Sequence, residues 1–191
     1  MACKNKSLTS LINFEKLKEE HMPLLLQWLE APHVKAWWDQ DIKWTIDLIR
    51  EKFHPYCQGY KLDNGVAKPL YAFIITFGAC PIGYIQLYNA YDFSCEQGRV
   101  LENLPVNLAS FDLYLGEVDF VGKGLGSLIL SRFLDCHIWP SFEACFVEVD
   151  SANKAALRTY EKVGFKRVID IEEEKIVWMV LERNRLKEAC F

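Results

Sequence analysis

Three glycines at alternate positions, Gly122, Gly124 and Gly126, stand directly before an apolar helical stretch formed by Leu128, Ile129, Leu130, Phe133 and Leu134. Glycine accepts a positive φ and lets a ligand come close to the backbone. The first turn of a helix leaves N–H groups without partners and carries the positive end of the helix dipole. The segment from Val118 to Ser127 therefore reads as a turn into a helix, shaped to cradle phosphate oxygens. A second helix start follows at Asp150-Ser151-Ala152-Asn153, runs through Arg158-Thr159-Tyr160 and stops at Val163-Gly164-Phe165. This order predicts a chain that holds a pyrophosphate on one helix and presents a tyrosine from the next. The glycine spacing is not the G-x-G-x-x-G of a dinucleotide site, and the strand–helix units are too few for one.

The bulk properties narrow the setting. A chain of 191 residues, 51% hydrophobic and 14% aromatic, has ample material for one packed core, so a single domain over residues 1–191 is expected. Its net charge of −4 speaks against nucleic-acid and anionic-membrane partners and suits a small cationic one. No apolar run approaches the ~20 residues that span a bilayer, and no signal peptide is read at the N-terminus. Seven cysteines, scattered singly, form no C-x-x-C pair and stand at no ligand spacing from a histidine. Neither a disulfide framework nor a metal site is expected. Buried free thiols in a reducing cytoplasm are the simpler account. Monomer and homodimer both remain open.

Hydrophobic periodicity gives the order β-α-α-β-β-β-α-β-α-β-β, a mixed α/β domain. Strands are expected at Ile12–Phe14, Leu70–Phe77, Tyr84–Tyr88, Ala109–Leu115, Cys145–Val149, Val168–Ile169 and Ile176–Leu181. Helices are expected at Glu19–Glu30, Trp44–Phe53, Ser127–Ile138 and Asn153–Lys162, the last closed by Gly164 in a left-handed cap. His33 to Asp39 reads as irregular and aromatic, and Asp92 to Leu104 as a polar surface loop.

With these residues in view, the second half resembles the GNAT acetyltransferase superfamily. Gly124 and Gly126 match its phosphate loop, although Val121 stands where an Arg or Gln usually leads. Asn153 and Tyr160-Glu161-Lys162-Val163-Gly164-Phe165 match its second signature. His33-Val34-Lys35-Ala36-Trp37-Trp38, Pro81-Ile82-Gly83-Tyr84-Ile85-Gln86 and Gly122-Lys123-Gly124-Leu125-Gly126 narrow the resemblance to the aminoglycoside 6'-N-acetyltransferases. Siderophore-type acyltransferases share the tryptophan and glycine pieces. The resemblance implies a central, mostly antiparallel mixed sheet flanked by helices, with strands splayed where acetyl-CoA binds. It also implies direct transfer of acetyl to a primary amine in a ternary complex. A siderophore precursor, another small amine or a protein N-terminus are alternative acceptors, and a non-catalytic acyl-CoA-binding module is the reading outside enzymology.

The chemistry then selects residues. An alkylamine with a pKa near ~10.4 must lose a proton before it attacks, and a nearby carboxylate can take it. Asp112 interrupts an apolar strand and is the candidate base; a solvent-facing charge on an edge strand is the bland alternative. Tyr160 is the candidate proton donor to the departing thiolate, or else a ring packed on the core. The resemblance assigns coenzyme contacts to Leu115, Val121, Gly122, Lys123, Gly124, Leu125, Gly126, Ser127, Asn153, Ala156 and Tyr160. It assigns the oxyanion contact to N–H groups around Leu113 to Leu115. Acceptor contacts are expected from Trp38, Asp92, Asp112, Asp150 and Glu172, with Glu96 and the rest of the acidic run Glu172–Glu174 able to join them. Asp150 can face the cleft while Ser151 caps the helix that follows.

Overall fold

The computed structural model describes residues 8–93, 100–171, 173 and 175–183. Among these residues, eight strands and five α-helices follow one another in chain order. They are β1 (Ile12–Lys16), α1 (Met22–Leu29), α2 (Pro32–Lys35), α3 (Ile46–Cys57), β2 (Tyr60–Asp63), β3 (Val66–Phe77) and β4 (Cys80–Asn89). After these come β5 (Leu108–Leu115), α4 (Leu125–Phe133), β6 (Ala144–Asp150), α5 (Lys154–Val163), β7 (Lys166–Ile171) and β8 (Ile176–Glu182). The sheet runs β1-β3-β4-β5-β6-β8-β7, with β2 paired to β3 off this path. Every strand pair is antiparallel except β5–β6. The mixed, mostly antiparallel sheet expected from the sequence is the one observed.

The parallel pair matters most. β4 and β5 stay in register over their whole overlap, from Gly83 opposite Leu115 to Asn89 opposite Ala109. β5 and β6 pair only at Leu108–Ala144, Ala109–Cys145 and Ser110–Phe146. Beyond Ser110 the two strands part, and a notch opens in the middle of the sheet.

Alternation along the strands buries both faces. On one face Ile85, Phe111, Val147 and Met179 meet Ile129, Phe133 and Leu157 of α4 and α5. On the other, Leu70, Ile74, Tyr84 and Tyr114 meet Leu25, Trp28, Ile49 and Phe53 of α1 and α3. A third cluster, Leu108, Phe146, Trp178 and Val180, closes the same side around β6 and β8. No helix among the described residues is long and apolar enough to cross a membrane.

Several elements differ from expectation for local reasons. The Asn64-Gly65 pair, both at positive φ (49° and 78°), folds β2 onto β3 as a tight hairpin. That doublet extends β3 back to Val66. His33 lies in the short helix α2, started by Pro32 at its first turn. The first helix opens as a 3-10 turn at Glu19–His21 before Met22. α4 gives way to a wider π turn over Leu134–Ile138. The thiols are not all interior: Cys145 is buried and Cys57 half-buried, whereas Cys80 and Cys136 are exposed. Cys80 stands at the start of a strand beside the β3–β4 turn, and Cys136 on the outer side of the π turn.

Candidate active site

The glycine loop owes its shape to backbone conformation. Gly122 and Gly124 have φ of 73° and 76°, and a Cβ on either would meet nothing within 4 Å. Space above the loop is therefore open, and a side chain is excluded by backbone strain. Gly124 is the left-handed N-cap of α4 and offers no side-chain cap to the N–H groups of the first turn. Gly126 has a different reason. Its missing Cβ would lie 3.3 Å from Thr159 Cγ2, where α4 meets α5. Leu125 is buried in the core, Val121 and Lys123 are exposed, and Ser127 spends its hydroxyl on the Gly124 carbonyl at 3.2 Å. Main-chain donors in an open turn fit a diphosphate. The side chains at 125 and 127 are already engaged.

The end of β5 is held from the helical side. His33 Nε2 donates to the Leu115 carbonyl at 3.0 Å; a carbonyl only accepts, so Nε2 carries the proton. Trp28 Nε1 donates to Glu117 at 2.8 Å. Its ring fills the space where a Cβ on Gly116 would come within 2.1 Å. Gly83 has a similar reason, since a Cβ there would strike the Tyr114 carbonyl at 2.4 Å. Thus the histidine and two glycines near the notch serve to fix β5, the strand whose far edge is unpaired.

At the notch lies a cleft of ≈ 600 Å³. Asp112 lines it and sits on β5 in the interior of the sheet, not on an edge. Its cross-strand partner Gln86 donates to it at 2.5 Å and in turn accepts from the Tyr84 hydroxyl at 2.7 Å. This fixes the amide of Gln86 with its nitrogen toward the carboxylate. Burial pushes the Asp112 carboxyl above the ordinary carboxylate value, while Gln86, Tyr88, Lys61 and Lys52 pull the other way.

Tyr160 reaches the same cleft from the opposite face of the sheet. Its ring packs edge-on against Phe111, with centroids 5.8 Å apart, and on Phe165 at 5.7 Å. Core packing and cleft access thus coexist in one side chain. No hydrogen bond to its hydroxyl is made among the described residues. Burial, with the charges of Asp112 and Cys145 behind it, raises the phenol well above its ordinary value, so it stays protonated at neutral pH.

Asn153, Ala156, Asp150, Trp37 and Trp38 also border the cleft. Asn153, not Ser151, caps α5, its side chain accepting from the Ala156 N–H at 3.1 Å. The Asp150 carboxylate holds the Ala152 N–H at 2.7 Å. One oxygen therefore shapes the turn while the residue still faces the cleft. The cap lies further along because the Asp150 side chain closes the turn that precedes the helix. Trp38 is half-buried, edge-on to Tyr114 at 4.9 Å; Trp37 is exposed outside it. Asp92 does not line the cleft; its carbonyl accepts from Lys68 instead. Glu96, Glu172 and Glu174 lie outside the described residues, and Glu173 is exposed.

The cleft also contains residues that the sequence reading passed over. Glu148 interrupts the apolar run Cys145–Val149 as Asp112 interrupts its own strand, so the criterion that picked one also picks the other. It is held by Trp178 Nε1 at 2.8 Å. Asp39, Lys52 and Lys61 line the outer part, and only tertiary structure brings them there. The loop carrying Asp39 is tied down by Glu30, which accepts from Lys43 at 2.5 Å, the Trp44 N–H at 2.8 Å and Lys35 at 3.0 Å. Those three donors, Lys43 first, hold its carboxyl down to about 2.

Comparison with known proteins completes the description. Residues 18–172 match the family described as the acetyltransferase (GNAT) domain. The aminoglycoside N(6')-acetyltransferase type 1 of Klebsiella pneumoniae is 24% identical over 183 residues, 93% of this chain and 86% of that protein. A structure of AAC(6')-Ib with paromomycin and acetyl-CoA superposes with a TM-score of 0.75 at 22% identity, covering 94% of this chain and 98% of that one. The aminoglycoside N(6')-acetyltransferase of Legionella pneumophila gives 0.67 at 20% identity, covering 94% and 96%.

Proposed function

Because the chain belongs to the GNAT acetyltransferase family, whose co-substrate is acetyl-CoA, we propose that it acetylates a primary amine of a small cationic acceptor. The 6'-amine of an aminoglycoside is the acceptor the named relatives support. One observation carries the reading. Asp112 and Tyr160, on opposite faces of the sheet, reach one cleft at the point where β5 and β6 part.

The geometry supports the following roles. The open loop at Gly122–Ser127 offers main-chain N–H groups to the diphosphate, and Lys123 stands exposed beside it. The unpaired edge of β5 beyond Ser110 offers N–H groups along which the acyl arm can lie, in place of the missing strand. These are also the donors available to the carbonyl oxygen as it gains negative charge. Asp112 takes the proton of the acceptor ammonium, directly or through a water, and the freed amine attacks the thioester carbon. Tyr160, protonated at neutral pH, gives its proton to the departing sulfur. Asp150 and Trp38 border the acceptor side. No cysteine among the described residues lines the cleft, in keeping with direct transfer. The four described free thiols suit a reducing compartment, the cytoplasm.

The test is thiol release from acetyl-CoA with kanamycin or tobramycin. Turnover is expected to fall on the order of 10²–10⁴-fold in Asp112→Asn, the range for removal of a general base. Tyr160→Phe is expected to lower kcat with coenzyme affinity little changed. Silence across a panel of 6'-amines, with coenzyme A still bound, rejects this acceptor class.

A further inference from the structure

Two ammonium groups stand among the carboxylates of the cleft, Lys52 from α3 and Lys61 from β2. Lys52 is compensated: its Nζ lies 2.8 Å from Asp39 and 4.9 Å from the centre of the Trp44 ring. Lys61 is not. No carboxylate among the described residues pairs with it, and its Nζ rests 4.8 Å from the centre of the Phe93 ring. The nearest acid of its own hairpin, Asp63, is taken by Lys68 at 2.5 Å. Among the described residues the cleft therefore carries acid at the notch, where Asp112 and Glu148 sit on neighbouring strands, and one positive charge without a carboxylate partner, Lys61, on the wall built by β2. Lys61 is also half-buried, which strengthens its attraction for an anion over that of a fully solvated lysine.

A purely cationic acceptor would meet Lys61 with repulsion. A molecule with an amine at one end and an anion at the other would match both charges. We propose that Lys61 forms an anion subsite and that the preferred acceptor is an amine also carrying an acidic group, a carboxylate or a phosphate. This rests on the acetyl-transfer reading, since the amine end is placed at Asp112, and departs from it in the acceptor, which carries an acid beside its amine. It has a chemical corollary. Lys61 is one of the cations that pull the Asp112 carboxyl down. An anion seated on Lys61 offsets that pull.

The experiment measures thiol release from acetyl-CoA with 5-aminopentanoate, 6-aminohexanoate and 3-aminopropyl phosphate. Each is set against an uncharged counterpart of equal length, a diamine of equal length, and kanamycin. An acid is expected to exceed its uncharged counterpart about tenfold in kcat/KM, the worth of one charge-assisted contact. Lys61→Ala is expected to bring that ratio toward one, mainly through KM, and Lys61→Glu to turn it in favour of the diamine. Whether carboxylate or phosphate gives the larger ratio identifies the anion. Calorimetry with coenzyme A on each variant checks that the fold is intact. A ratio near one in the unaltered protein, or a ratio that survives Lys61→Ala, overturns the subsite. Efficient kanamycin turnover with the acids ignored overturns it too, while leaving acetyl transfer standing. Bound coenzyme A with no turnover of any amine overturns both.

Discussion

Asp112 shows how far a residue can be understood from its strand. Its interruption of an apolar run was enough to mark it. Its interior position and its clamp by Gln86 needed the fold, because β4 and β6 are its neighbours only in space. The sign of its pH behaviour follows from burial, which raises its folded value above the unfolded one. The unfolded chain ionises first, so stability contributed by the protonated group is lost as pH rises from about 3.9 through the folded value. Asp112→Asn is therefore expected to melt higher at neutral pH and to gain nothing below pH ~3.9; each ~1 kcal/mol of gain reads as about 2–4 °C in a chain of this size. Its residual turnover is expected to lack the acidic limb, the rise with pH through the Asp112 titration. Calorimetric melts and a pH–rate profile read the two effects separately. Tyr160 was legible from its motif, whereas Lys52, Lys61 and Asp39 were not. Nothing in a linear pattern says that α3, β2 and the loop after α2 share a wall with β5.

At the level of elements, the glycine loop was legible because its conformational demand is local. Gly122 and Gly124 need positive φ, and the apolar stretch behind them declares a helix. Gly126 looks the same in sequence yet answers to Thr159 on another helix. The distinction is measurable. Gly124→Ala is expected to cost about 1–2 kcal/mol of stability from the left-handed backbone alone, together with coenzyme affinity. Gly126→Val is expected to disturb the α4–α5 contact, and so the position of Tyr160, more than the loop. Coenzyme titration and the kcat of each variant tell these apart. The Asn64-Gly65 hairpin is the reverse case. Its turn signal is strong and local, but the strands on either side are only weakly apolar, so hydrophobic periodicity does not predict β2. Asn153, and not Ser151, caps α5 because the Asp150 carboxylate holds Ser151 and Ala152 in a turn ahead of the helix.

For the whole molecule, the two families of core residues on either side of the sheet were foreseeable from alternation, and the strand order was not. Order depends on which strands meet after collapse, a long-range matter that periodicity does not encode. The resulting sheet has a consequence for its mechanics. Its two halves are stitched at the centre by three rungs, the shortest seam between any neighbouring strands of the main sheet. A coenzyme whose pantetheine bridges that seam would act as a fourth and fifth rung. Amide exchange at Ala144–Phe146 and along Leu108–Ser110 is expected to slow on coenzyme binding more than at the β3–β4 pairing, and equal slowing at both would contradict it. The acyl donor is then a structural suture as well as a reagent, and each release of product returns the midline to its three native stitches.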